Sequence, residues 1–225
     1  MQAAKVDSDE SRKALSTFSE AYWPPLYAFI RRRGHPSSDA QDLTQSFFAY
    51  VLEHETLSHA DQTRGRLRTF LLGSLENFLA NEYKFSRRIK RGGGREILSL
   101  DENFAQVEAA MAATSELGNL ASYDVLWASN IVEHAWKNLE KSLAAQGDAE
   151  SLELLKPFIA GGDGRPPNQE EIASRLKVPV ATLRTWISRL RQRYRQCLRA
   201  EVASTVSDPA DVDGELHYLY EILLR

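Results

Sequence analysis

Apolar residues recur along this chain at three- and four-residue intervals, and alternation at every second position is sustained nowhere. That pattern predicts helices without strands, hence an all-α fold. Leu15, Phe18, Tyr22, Leu26, Phe29 and Ile30 outline a first helix. Pro24 and Pro25 interrupt it and predict a kink or break. Arg31–Gly34 reads as its end, with basic residues in the last turn and glycine as the cap. A second helix opens at Ser37-Ser38-Asp39, where Ser38 and Gln41 have capping-box spacing. Its apolar stripe is Leu43, Phe47, Val51 and Leu52, with Asp42, Gln45 and Phe48 beside or off that stripe. A third helix runs from about Arg66, with Leu67, Phe70, Leu71, Leu75, Phe78 and Leu79 on its buried face. It becomes basic towards Lys84, Arg87 and Arg88 and ends at Gly92–Arg95, where glycines abolish helix propensity.

Beyond this the chain changes character. Asp101–Asn119 is Ala-rich and reads as a linker; Tyr123–Leu143, with Trp127, Ile131, Val132, Ala135, Trp136 and Leu139, reads as a helix. Asn168–Arg199 reads as two helices joined by a tight turn. Asn168 and Glu171 have capping spacing, Ile172, Ala173 and Leu176 pack inward, and Leu183, Ile187, Leu190 and Tyr194 are core positions. In the tail, Asp208-Pro209 marks a helix start, and Leu216, Leu219, Tyr220 and Leu223 form its apolar face.

Charge sharpens this picture. The whole chain is at net -3, but residues 61–100 are at +5 and residues 165–199 at +7, separated by 101–164 at -8 and followed by 200–225 at -5. Two basic islands on helical patterns predict two surfaces for nucleic acid. Tyr83 and Phe85 interleave with the first island, which suits stacked bases and phosphates of single strands. A short helix, a turn and a basic helix suit the DNA major groove. The lone Cys197 allows no internal disulfide, and the five histidines show no metal spacing. Gly92–Arg95 lacks the strand and Lys-Ser/Thr of a phosphate loop. No cofactor, metal or enzymatic role is expected. No apolar run reaches the roughly 18 residues that span a membrane, and the polar first residues lack a signal-peptide core, so a cytoplasmic location without membrane contact is expected.

Three segments resemble, in order, the extracytoplasmic-function (ECF) sigma factors of bacterial RNA polymerase. DAQDLTQSFFAYVL (39–52) is similar to the family's polymerase-binding helix. GRLRTFLLGSLENFLANEYKFSRR (65–88) is similar to its promoter-melting helix, and NQEEIASRLKVPVATLRTWISRLRQRYRQCL (168–198) to its helix-turn-helix. The chain departs from the pattern at Lys177, Trp186 and Asn81, where the family usually has Gly, Arg and Asp. The resemblance implies two helical domains joined by an acidic linker: an N-terminal sigma domain (10–98), linker (99–120), C-terminal helix-turn-helix domain (121–200) and acidic tail (201–225). It implies a protein that binds core RNA polymerase, directs it to promoter DNA and helps melt the minus-ten region.

Site residues follow from that alignment. Asp42, Gln45 and Phe48 would contact polymerase, with a plain core role as the alternative for Phe48. The loop Leu57–Gly65, with His59, Asp61, Gln62 and Thr63, would pocket a flipped base or be a plain solvated loop. Asn77, Asn81, Lys84, Arg87 and Arg88 would face the melted minus-ten strand. Thr182, Thr185, Trp186 and Arg189 would face the minus-thirty-five element, with Arg184, Ser188 and Arg191 on phosphates; Trp186 would alternatively pack on a neighbouring helix. An inhibitory anti-sigma protein, or shielding of the basic helix by the tail, would regulate it, unless the tail only completes the C-terminal core. A regulator whose N-terminal part dimerises or binds a ligand is the alternative function.

Overall fold

The computed structural model describes residues 2–53, 67–86, 104–114, 117–145, 149–159, 167–206 and 208–224, and among them every regular element is helical. They are α1 (Gln2–Arg32), α2 (Ser37–Glu53), α3 (Leu67–Ser86), α4 (Phe104–Ala113), α5 (Asn119–Ala144), α6 (Ala149–Leu155), α7 (Gln169–Arg175), α8 (Val180–Ala203) and α9 (Val212–Leu223). The expected loop 57–65, with His59, Asp61, Gln62 and Thr63, lies outside the described residues, as do Arg87, Arg88 and the glycines that follow. The chain forms two compact units: residues 1–130 with 203–225, and residues 131–202. The first unit therefore takes in the tail, which the sequence had set apart, and the boundary falls inside α5 rather than at 121.

In the first unit α1 passes through Pro24 and Pro25 without a break. A proline has no N–H, so two prolines leave the carbonyls four residues earlier unpaired. Those carbonyls, Glu20 O and Ala21 O, accept from Asn130 Nδ2 at 2.9 and 3.0 Å. One amide from α5 thus replaces both missing bonds. Asn130→Ala is expected to lower the thermal midpoint of the first unit by the equivalent of about 1 kcal/mol, the net worth of such bonds in a half-exposed site. An unchanged midpoint would mean that water serves as well.

The helix ends where glycine was expected, with Gly34 at φ 92°. At α2 the capping box does not form: the helix begins at Ser37, and Gln41 Nε2 donates to Ser37 Oγ, where a capping box would have the Gln41 side chain accept from the Ser38 N–H. Its buried face is Ala40, Thr44, Phe47, Phe48 and Val51, while Leu52 is exposed. The short polar Thr44 is accommodated because its hydroxyl donates to Ala40 O at 2.6 Å. Residues 104–113 of the expected linker are instead helix α4, consistent with the helix propensity of its alanines. It is fixed to α1 by Arg31, whose Nε donates to Glu108 Oε1 at 2.9 Å, by Tyr27 Oη at 2.6 Å, and by Arg32 reaching Met111 O. The Arg31 bond, then the Tyr27 bond, hold the Glu108 carboxyl below its ordinary range.

The tail contributes most unexpectedly. Arg68 on α3 is 4% exposed, and its Nη1 donates to the equally buried Glu215 of α9 at 2.6 Å. Asp124 Oδ1 lies 3.4 Å from its Nε, and the guanidinium sits over the rings of Tyr218 (3.7 Å) and Trp127 (4.9 Å). Tyr218 donates to Asp124 at 2.7 Å, and buried Tyr22 donates to Thr205 O at 3.2 Å. Burial, followed by the charge of Glu215, pushes the Tyr22 phenol well above its usual value. The apolar face of α9 is accordingly Val212, Leu219 and Ile222 with Glu215 among them. The expected face is partly wrong, since Tyr220 and Leu223 are exposed. The tail packs with the helices of the first unit.

Candidate nucleic-acid interface

In the second unit an apolar cluster gathers Leu139, Leu143, Leu152, Leu155, Phe158, Ile172, Ala173, Leu183, Ile187 and Leu190. The expected core positions of α8 are all there, with Tyr194 partly buried against the Trp136 ring at 5.8 Å. Asn168 caps α7, its Oδ1 accepting from Glu170 N at 3.0 Å. The turn that follows is set by two backbone bonds, Lys177 N to Ser174 O and Val178 N to Ala173 O. This is the Schellman arrangement, and Val178 packs on the cluster as such turns require.

Lys177 holds the left-handed position of that turn, at φ 54°, the only non-glycine with positive φ among the described residues. The Cβ crowding there costs an L-residue roughly 1–2 kcal/mol. Lys177→Gly is therefore expected to stabilise the second unit by about 0.5–1 kcal/mol after glycine's greater unfolded entropy is subtracted. A rise in thermal midpoint checks it; a fall would mean that the Lys177 side chain contributes more than its strain removes.

This turn fixes how α8 is presented. Thr185, Ser188 and Arg189 are exposed, and Thr182 is half-buried. Thr185 Oγ1 donates back to Ala181 O at 3.1 Å. Arg184 is exposed and tethered, its Nε donating to Gln169 Oε1 at 3.0 Å. Arg191 departs from expectation. Its Nε and Nη2 donate to Phe158 O at 3.1 and 2.9 Å, so it closes the 3-10 turn Lys156–Phe158 onto α8 instead of standing ready for a phosphate. Trp186 is half-buried against the cluster, so its packing alternative holds. It sits one step from Ile187 and Leu190 on the helix surface, not opposite them. Arg189 and Arg193 share with it the lining of a cavity, a role for Arg193 that the sequence reading missed. The signal was there in the spacing of Trp186, Arg189 and Arg193 at i, i+3 and i+7.

The other expected surfaces are only partly assembled. Asn77 and Asn81 are exposed, one turn apart on α3, and Lys84 lies on the next turn. Asp42 is exposed and Gln45 half-buried on α2. Phe48 is in the core, 5.7 Å edge-on to Phe18 and 6.4 Å from Phe47, which fits the plain core role given as its alternative. Tyr50, beside it on the helix, is the exposed aromatic of this stretch and leans on Phe78. Among the described residues no group of acidic, histidine or cysteine side chains is placed to hold a metal. Cys197 is half-buried, and burial raises its thiol above the usual range, which works against a nucleophilic role. No described helix is long and apolar enough to cross a membrane.

No protein-family model matches this chain, and neither a curated protein nor a solved structure does.

Proposed function

We propose that this chain is a sigma factor: it binds core RNA polymerase, carries it to promoters and helps open the minus-ten region. The observation that carries the reading is the α7–turn–α8 unit. A capped short helix and a Schellman turn hold a long helix whose exposed side bears Thr185, Ser188, Arg184 and Arg189. Such a helix fits the major groove, where threonine and serine reach phosphates and an arginine forks onto guanine. The polymerase role rests on the order of the three sequence segments and on exposed Asp42 and half-buried Gln45 on α2. Partners are then core polymerase and promoter DNA.

In vitro transcription with purified core polymerase tests the proposal: added protein should start transcripts at a defined promoter. Binding to duplex DNA alone, as a dimer at a palindrome, would point to a regulator instead. Within a working system Arg184→Ala should weaken binding to all sequences and lower the salt slope by about one unit. Arg189→Ala should cost about 1–3 kcal/mol at one base pair and relax the preference there. Equal, sequence-independent losses at both positions would remove Arg189 from base recognition.

A further inference from the structure

Two arginines expected on DNA phosphates, Arg184 and Arg191, are hydrogen-bonded within the second unit, and the bonds differ in what they leave over. Arg191 spends both Nε and Nη2 on one carbonyl, Phe158 O. Arg184 gives only its Nε, at 3.0 Å, to the side chain of Gln169 on the other helix of the pair. A guanidinium has no acceptor, so Gln169 meets it with the amide oxygen and keeps its N–H groups. Among the described residues neither Gln169 Nε2 nor the two Nη groups of Arg184 has a further partner. Glu170 and Glu171 follow Gln169, and neither carboxylate pairs with Arg184 there. Two joined side chains thus hold three nitrogens that can only donate.

The pair stands on fixed ground. Gln169 is half-buried one turn before Ile172 and Ala173, and exposed Arg184 follows Leu183; those three apolar residues are buried in one cluster. The backbone bonds of the turn at Lys177 and Val178 hold the two helices in place. We infer that Gln169 and Arg184 form a two-helix clamp for one backbone phosphate of DNA. Arg184 supplies the charge through its Nη groups. Gln169 holds the guanidinium in position and donates from Nε2 to the same phosphate. A phosphodiester carries one negative charge on two unesterified oxygens, so one cation and one neutral donor match it. Tethering a long arginine side chain before DNA arrives removes part of the ordering that binding otherwise costs. A phosphate gripped from α7 and α8 together also fixes how the basic helix lies on the strand. The inference rests on the DNA-facing reading of α7 and α8.

The test measures binding of the full chain to a fluorescein-labelled duplex of mixed sequence over a salt series. Gln169→Ala should weaken binding about three- to tenfold on any sequence and leave the preference set by Arg189 unchanged. In an Arg184→Ala background the same change should cost less than about twofold, because the two side chains act as a unit. Gln169→Glu keeps an acceptor for Arg184, but it removes the donor and neutralises the cation. It should weaken binding at least as much as Arg184→Ala and lower the salt slope by about one unit. A merely structural tether predicts the reverse, since a carboxylate would hold Arg184 more firmly. In the Arg184→Ala background Gln169→Glu should cost much less, which separates loss of the clamp from plain repulsion by the new charge. Thermal midpoints should stay within about 4 °C of the parent chain, as polar positions outside the core allow. A silent Gln169→Ala, additive losses, normal binding by Gln169→Glu, or a midpoint fall large enough to explain the lost binding would each overturn the clamp. If Arg184→Ala is silent while Arg189→Ala weakens binding, the clamp falls and the DNA reading stands. A parent chain without salt-dependent affinity for the duplex removes both.

Discussion

Glu215→Ala should destabilise the first unit by about 3 kcal/mol, near the lower end of the cost of breaking a buried ion pair. The loss arises less from the missing attraction than from the charge left behind, since Arg68 is 4% exposed and cannot reach water. Asp124, at 3.4 Å from its Nε, and the rings of Tyr218 and Trp127 keep the cost from rising further. Arg68→Met combined with Glu215→Leu should recover most of the stability, because no buried charge then remains. Chemical denaturation of the parent chain, the Glu215→Ala variant and the double variant checks this. A Glu215→Ala loss under about 0.5 kcal/mol, the size of an ordinary surface substitution, would show that the network contributes nothing.

Ending the chain at Ser204 should have a larger effect. Val212, Leu219 and Ile222 are all buried, and each contributes roughly 1.5–3 kcal/mol by leaving water. Tyr22 would lose its acceptor at Thr205, and Arg68 its main counter-charge. The sum reaches the roughly 5–15 kcal/mol that holds a typical domain together. The first unit should lose its cooperative thermal transition, and its α1–α3 segment should become open to proteolysis. Affinity for DNA at low salt should not rise. A well-folded truncated chain with tighter DNA binding would favour the shielding role for the tail.

Helix identity and most buried faces were legible in the sequence because periodicity reports burial directly, as Leu183, Ile187 and Leu190 illustrate. Chemistry that depends on distant partners was not. Arg68 lies on the same stripe as Leu71 and Leu75, and Glu215 between Val212 and Leu219, so each reads as a flaw in its own helix. Only their pairing, 147 positions apart, explains both. The prolines of α1 predict a break on local grounds, and only Asn130, more than a hundred residues away, removes the reason for one. Arg191 looks like any other arginine of a basic helix until Phe158 O is seen to take it. Phe48 failed for a simpler cause: α2 turns Ala40 and Thr44 inward where Leu43 was expected, and that rotation carries Phe48 with it.

The first unit is assembled from residues 1–130 and 203–225, with the whole second unit spelled out between them. The order of translation therefore matters. At about 5–20 residues per second, the ribosome needs roughly 5–20 s to pass from Asn130 to the residues of α9. Throughout that interval the second unit can close while Arg68, Trp127 and Tyr22 still await their cover. A message broken within α8, or a stalled ribosome, yields a fragment that carries the basic helix but has an unfinished first unit. Quality-control proteases act on such open chains. Only once α9 has been made can Arg68 pair with Glu215 and the first unit close.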